Sequence, residues 1–100
     1  MEKEKIKISP DAFTYNSEDS QKLIIEVTLP GVDKNDINLM MLDDSLTLSA
    51  PRDELEYSLA LSLCCPVKAK DARADYKNEL LRIEVPYKDY MDNAVRIKIA

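Results

Sequence analysis

Residues 24–50 read IIEVTLPGVDKNDINLMMLDDSLTLSA. In its first part Ile25, Val27 and Leu29 share one side of an extended chain, and Ile24, Glu26 and Thr28 share the other. Leu29-Pro30-Gly31 ends the run, because proline cannot donate to a ladder and glycine supplies the positive φ of a reversal. Residues 33–37, DKNDI, are too few for more than one helical turn, and Asp36 is placed to cap or support it. Ile37, Leu39 and Met41 then alternate with Asn38, Met40 and Leu42. Asp43-Asp44-Ser45 forms a turn, and SLTLSA (45–50) resumes the alternation. Helical spacing explains none of these runs as well as a period of two.

The same period continues outward. Leu23 extends the first run. In LEYSLALSLCC (55–65), Tyr57, Leu59, Leu61, Leu63 and Cys65 alternate with Ser58, Ala60, Ser62 and Cys64. In LLRIEVP, Leu81, Ile83 and Val85 alternate with Arg82 and Glu84, and ARADY (72–76) is a further short strand. Many short alternating strands separated by polar turns predict an all-β, immunoglobulin-like antiparallel β-sandwich. Each strand packs one face inward and turns the other toward water or a partner. The chain has one glycine, against the roughly seven expected at average usage. Its hairpins must therefore turn on Asp and Asn, at Asp43-Asp44-Ser45 and at Lys77-Asn78-Glu79.

One hundred residues make one domain. The net charge of −5 argues against nucleic acid and anionic membranes as partners. No apolar run approaches the ~20 residues of a membrane span. The start MEKEKIKI lacks an apolar signal region, so a cytoplasmic protein is expected. Adjacent Cys64 and Cys65 would point to opposite faces of a strand, which predicts reduced thiols, with Cys65 protected among the leucines and Cys64 accessible. Two thiols without histidine make a poor metal site.

Catalytic chemistry is not evident. Without histidine the serines have no candidate base, and no glycine loop cradles a phosphate. Asp43, Asp44, Asp53, Glu54 and Asp89 read as solvated turn carboxylates. The expectation is no enzyme, no cofactor and no metal, with function carried by surfaces.

Taken in order, these motifs resemble the alpha-crystallin domain of small heat shock proteins. The residues are Leu29-Pro30-Gly31, Lys34-Asn35-Asp36-Ile37, the strand Leu46 through Arg52, and ARADYKNELLRIEVP (72–86) ending in proline. A short tail with Ile97-Lys98-Ile99 follows, as in many members. The resemblance divides the chain into a short segment 1–9, the sandwich 10–86 and an extension 87–100, whose YKDYMDN (87–93) is a polar linker. There are departures. Glu79 stands where the family has glycine, and only residues 51–56 replace a long loop that swaps a strand between subunits. About ten residues precede the domain, where the family has a long apolar arm.

The resemblance implies an ATP-independent chaperone that binds unfolding client proteins and limits their aggregation. An alternative is a co-chaperone or adaptor sandwich that binds one folded partner. It also implies a groove between strands 37–42 and 71–76 that receives client or tail, lined by Ile37, Leu39, Met40, Met41 and Arg73. With Ala72, Ala74 and Tyr76 turned to the core, Asp71, Arg73 and Asp75 would face that groove. Ile97 and Ile99 are the docking knobs. The same triplet occurs as Ile6-Lys7-Ile8, either an edge strand or a plug. The run 55–65 carries a flat, uncharged row, Ser58, Ala60 and Ser62, on a strand the resemblance puts at a sheet edge. Bare edges pair with other chains, so a homodimer or small homo-oligomer through this strand is expected.

Overall fold

The alternation of the sequence resolves into two four-stranded sheets laid face to face. The computed structural model describes residues 5–89 and 94–100. Its strands are β1 (Ile6–Ile8), β2 (Ala12–Asn16), β3 (Lys22–Thr28), β4 (Asn38–Leu42), β5 (Ser45–Arg52), β6 (Leu55–Ser62), β7 (Arg73–Lys77) and β8 (Leu80–Pro86). Sheet A has the order β1-β6-β5-β4 and sheet B the order β2-β3-β8-β7. Every pairing is antiparallel except β1 on β6. The fold is the all-β sandwich read from the sequence.

Register explains the core. In sheet B, Leu23, Ile25 and Val27 lie opposite Val85, Ile83 and Leu81. In sheet A, Leu46, Leu48 and Ala50 lie opposite Leu61, Leu59 and Tyr57, with Met41 and Leu39 on their other side. These inward rows form one buried cluster with Leu29, Val32 and Val67. Each fully buried Leu, Ile or Val contributes about 1.5–3 kcal/mol. Among the described residues no polar or charged residue is buried with them.

Between the sheets the chain crosses at Leu29-Pro30-Gly31, and hydrogen bonds from Tyr76, Leu29 and Arg52 hold the crossing. The Tyr76 hydroxyl lies 2.6 Å from the Leu29 carbonyl and 2.9 Å from that of Val32. The Leu29 amide donates to the Glu79 carbonyl at 2.8 Å. Arg52 Nη1 donates to the Pro30 carbonyl at 2.9 Å. A single 3-10 turn, Lys34–Asp36, follows. Its cap is Asp33, whose side chain accepts from the Asn35 amide, and not Asp36.

Three sequence expectations change here. Ile6-Lys7-Ile8 is not a plug: as β1 it pairs in parallel with Leu55, Glu56 and Tyr57, so the sandwich begins before residue 10. The run 55–65 is a strand only through Ser62. The chain then bends around the Asp43-Asp44 turn, with the Leu63 amide donating to the Asp44 carbonyl and the Val67 amide to that of Asp43. Cys64 and Cys65 lie in this bend and both are exposed, so Cys65 is not sheltered among the leucines. Of the linker 87–93, Tyr87 bridges to Val67, and 90–93 lie outside the described residues. So do residues 1–4 of the short first segment.

Gly31 has φ +74°, and a Cβ there would sit 2.7 Å from Arg52 Cζ. Gly31→Ala forces a left-handed alanine and displaces the guanidinium from Pro30. The expected loss is about 1–2 kcal/mol, read from a urea midpoint. In an Arg52→Ala background the loss should shrink. An unchanged midpoint in the wild-type background would show that the crossing is not constrained as described.

Candidate functional site

The outer faces of the two sheets differ in chemistry. On sheet A, register aligns three rows across β4, β5 and β6: Asn38–Ser49–Ser58, Met40–Thr47–Ala60 and Leu42–Ser45–Ser62. None of the nine side chains carries a charge. Seven are small or polar. The other two, Met40 and Leu42, are 72% and 68% exposed. They stand on the edge strand and, with Met41, Ser45 and Thr47, line a cleft of about 180 Å³. An apolar pair beside a flat uncharged face has the character of a contact surface.

On sheet B the outer rows are Tyr15–Ile24–Glu84–Arg73 and Phe13–Glu26–Arg82–Asp75. Here charges interlock. Arg82 Nη1 donates to Glu84 Oε2 at 3.1 Å, and Lys22 Nζ to Glu84 Oε1 at 3.3 Å. The Tyr15 hydroxyl donates to Glu26 Oε1. The hydrogen bond from Lys22, then that from Arg82, holds the Glu84 carboxyl below the usual range.

The expected groove residues are divided by this geometry. Met40 points outward and is open. Ile37, Leu39 and Met41 point inward and pack half-buried against the core. Arg73 does not join them. The inward phase of β7 is set by Tyr76, anchored to Leu29 and Val32, so period two turns Arg73 and Asp75 to the outer face of sheet B. Arg73 lines a separate cleft of about 640 Å³ with Lys22, Lys70, Asp71 and Glu84. The charged wall expected inside the groove therefore lies outside it. Leu42 was absent from the expected lining. Its signal was in the sequence, two residues beyond Met40.

At the end of β4 a cleft of about 510 Å³ has Met41, Leu42 and Ala69 beside Lys68, Lys70 and Lys88. Asp43 braces it. Its carboxylate accepts from Lys88 Nζ and, at 3.2 Å, from the Ala69 amide. It is thus a tether between the β4–β5 turn and the loop before β7, and not only a solvated turn residue.

The other expected contact residues are accessible. Ser58, Ala60 and Ser62 are exposed on the outer face of β6. β1 covers β6 only at Leu55–Tyr57, so among the described residues the β6 edge beyond Tyr57 has no strand beside it. Ile97 and Ile99 lie outside any strand and are 82% and 91% exposed.

No family model and no curated protein sequence matches the chain. Solved structures do. Heat shock protein 16.0 from Schizosaccharomyces pombe superposes with a TM-score of 0.75 at 20% identity, over 94% of this chain and 77% of that one. The fold is that of the small heat shock proteins. HSP18.5 from E. histolytica gives 0.74 at 12% identity, over 92% and 99% of the two chains. A small heat-shock protein from Xylella fastidiosa gives 0.71 at 16%, over 93% and 97%. At these identities the likeness is one of fold, the alpha-crystallin sandwich. Among the described residues no helix is long and apolar enough to cross a membrane.

The bond from Lys88, then that from the Ala69 amide, holds the Asp43 carboxyl below its ordinary range. A depressed folded value gives stability that is present above the unfolded pKa of about 3.9 and is lost as the pH falls through the folded value. Asp43→Asn should lower the melting temperature at neutral pH, and the two curves should converge in acid. Curves that stay parallel down to acid pH would rule out the Asp43 tether.

Proposed function

We propose that this chain is an ATP-independent chaperone of the small heat shock type, which holds exposed apolar segments of unfolding proteins and delays their aggregation. The observation that carries this reading is the exposed Met40–Leu42 pair at the open edge of the alpha-crystallin sandwich. Methionine is unbranched and polarizable, so it fits varied apolar partners. A surface that must accept many unfolded sequences gains from an uncharged surround, because a buried unpaired charge is costly. The Met40–Thr47–Ala60 and Leu42–Ser45–Ser62 rows meet that condition, and Glu56 borders the third row, where Ser49 donates to its carboxylate. The reading needs no catalysis and no cofactor, in keeping with the absence of histidine and of a phosphate-cradling glycine loop. We place the protein in the cytoplasm, where exposed thiols such as Cys64 and Cys65 stay reduced.

The experiment is suppression of heat-induced aggregation of two unrelated clients by wild type and by a Met40→Glu, Leu42→Glu variant. Both side chains are exposed, so folding stability should move by no more than about 0.5 kcal/mol. Protection should fall several-fold for both clients. Full protection by the variant would refute the assignment of this edge. Failure of the wild type with every client, together with capture of one stoichiometric folded partner, would establish the adaptor reading in its place.

Assembly is a second part of the proposal. The uncovered segment of β6 is centred on Ala60. Antiparallel pairing of two copies about a two-fold axis there sets Ser58 against Ser62 and leaves β1 in place. Ala60→Lys brings two ammonium groups to the axis and should shift the solution mass toward monomer at micromolar concentration. If the Ile97-Lys98-Ile99 tail links such dimers, Ile97→Ala with Ile99→Ala should reduce larger species without lowering the melting temperature. A wild-type protein that is monomeric at high micromolar concentration would overturn both.

A further inference from the structure

The sequence places Cys64 and Cys65 on opposite sides of a strand. The fold instead ends β6 at Ser62 and turns the two side chains together, with their sulfur atoms 3.4 Å apart. Both thiols are exposed. The bend that carries them is fastened on each side. The Leu63 amide donates to the Asp44 carbonyl at 2.8 Å, the Val67 amide to that of Asp43 at 2.8 Å, and the Lys88 amide to that of Pro66 at 3.0 Å. Val67, two residues on from Cys65, is fully buried. The pair is therefore a held feature of the surface and not the end of a loose loop.

Three chemistries compete for two adjacent thiols. A disulfide between them is strained. Consecutive Cα atoms lie about 3.8 Å apart, below the roughly 4.4–6.8 Å of ordinary disulfides. A tetrahedral metal site needs further protein ligands. Among the described residues no cluster of three or more His, Cys, Asp or Glu side chains is placed to hold a metal. A trivalent metalloid that brings its own third substituent needs only two sulfurs, and it spans them without closing the short S–S bond. The Cys64 thiol, through its hydrogen bond, also holds the Cys65 thiol above the ordinary range.

We propose that Cys64 and Cys65 form a vicinal dithiol site for thiophilic trivalent metalloids of the organoarsenical class. In the reaction with an arylarsine oxide, two As–S bonds form and the arsenic-bound oxygen leaves as water with the two thiol protons. Arsenic and sulfur keep their oxidation states. The site lies where β6 ends, just beyond the uncovered segment Ser58–Ser62, so the ligand would add bulk next to that edge.

The test uses the intact protein and phenylarsine oxide, followed by intact-mass spectrometry and thiol counting. Wild type should take one arsenical, lose both titratable thiols, resist a large excess of glutathione and release the adduct to a small dithiol. Cys64→Ser and Cys65→Ser each leave one As–S bond. Since joining two attachments raises retention by about 10²–10⁴, glutathione should strip each variant at least a hundredfold more readily. Far-ultraviolet circular dichroism should be unchanged in all three proteins, because both side chains are exposed. Two arsenicals per wild-type chain, or equal loss to glutathione from wild type and single variants, would overturn the proposal. So would conversion of the pair to an internal disulfide in place of the adduct.

Discussion

The crossing from sheet B to sheet A, between Leu29 and Ile37, is the constraint on which the surfaces depend. Leu29 and Val32 are buried, and the Tyr76 hydroxyl binds both of their carbonyls. That fixes where β4 begins and which of its side chains face inward. A slip of one residue inverts every side chain of a strand. It would bury Met40 and Leu42 and expose Ile37, Leu39 and Met41. The open apolar pair is thus a consequence of how the preceding turn is pinned, and the exposure of this edge and the stability of the crossing are linked through Tyr76, Glu79 and Arg52.

Scarcity of glycine makes the same region do more. Asn78 and Glu79 both take positive φ, at 52° and 66°. Such a conformation costs a non-glycine residue roughly 1–2 kcal/mol, and asparagine tolerates it better than glutamate. Glu79 has compensating contacts. Its carbonyl accepts the Leu29 amide at 2.8 Å, and its carboxylate accepts the Gly31 amide at 3.3 Å. A glycine at this turn would relax the backbone but leave the Gly31 amide without that partner. The β7–β8 turn therefore also supports the β3 end.

The two outer faces divide the labour. Sheet B closes its surface with ion pairs among Lys22, Arg82, Glu84 and Glu26. Exposed pairs of this kind add little stability, but they make a poor site for an apolar partner, since docking would strip water from charges. Sheet A carries no charge across its three aligned rows. Association across the Met40 and Leu42 rows avoids that cost, which is the physical basis for proposing client contact and self-pairing on this side.

Much of this was legible in the sequence. Strand phases in β3, β5, β6 and β8 follow from period two, since one missed alternation would expose several large side chains at once. Pro30 and Gly31 announce their own break, and the two-sided apolar character of 37–42 is visible as written. Other features required tertiary structure. β2 has no clean alternation, and it forms because β3 offers it a ladder. Ile6-Lys7-Ile8 and Ile97-Lys98-Ile99 are the same triplet and both are exposed, yet one pairs as a strand and the other lies outside any strand. Their local preferences are equal, so the difference lies in whether an unpaired edge lies alongside. Arg73 has the phase opposite Tyr76 in the sequence, but that this phase is the outer face of sheet B, and not a groove wall, follows from the pairing of β7 with β8. Cys64 and Cys65 meet because Val67 must reach the core. Sequence determines which side chains can share a face. Where a strand stops, and what lies beside it, depends on partners distant in the chain, and no local pattern encodes them.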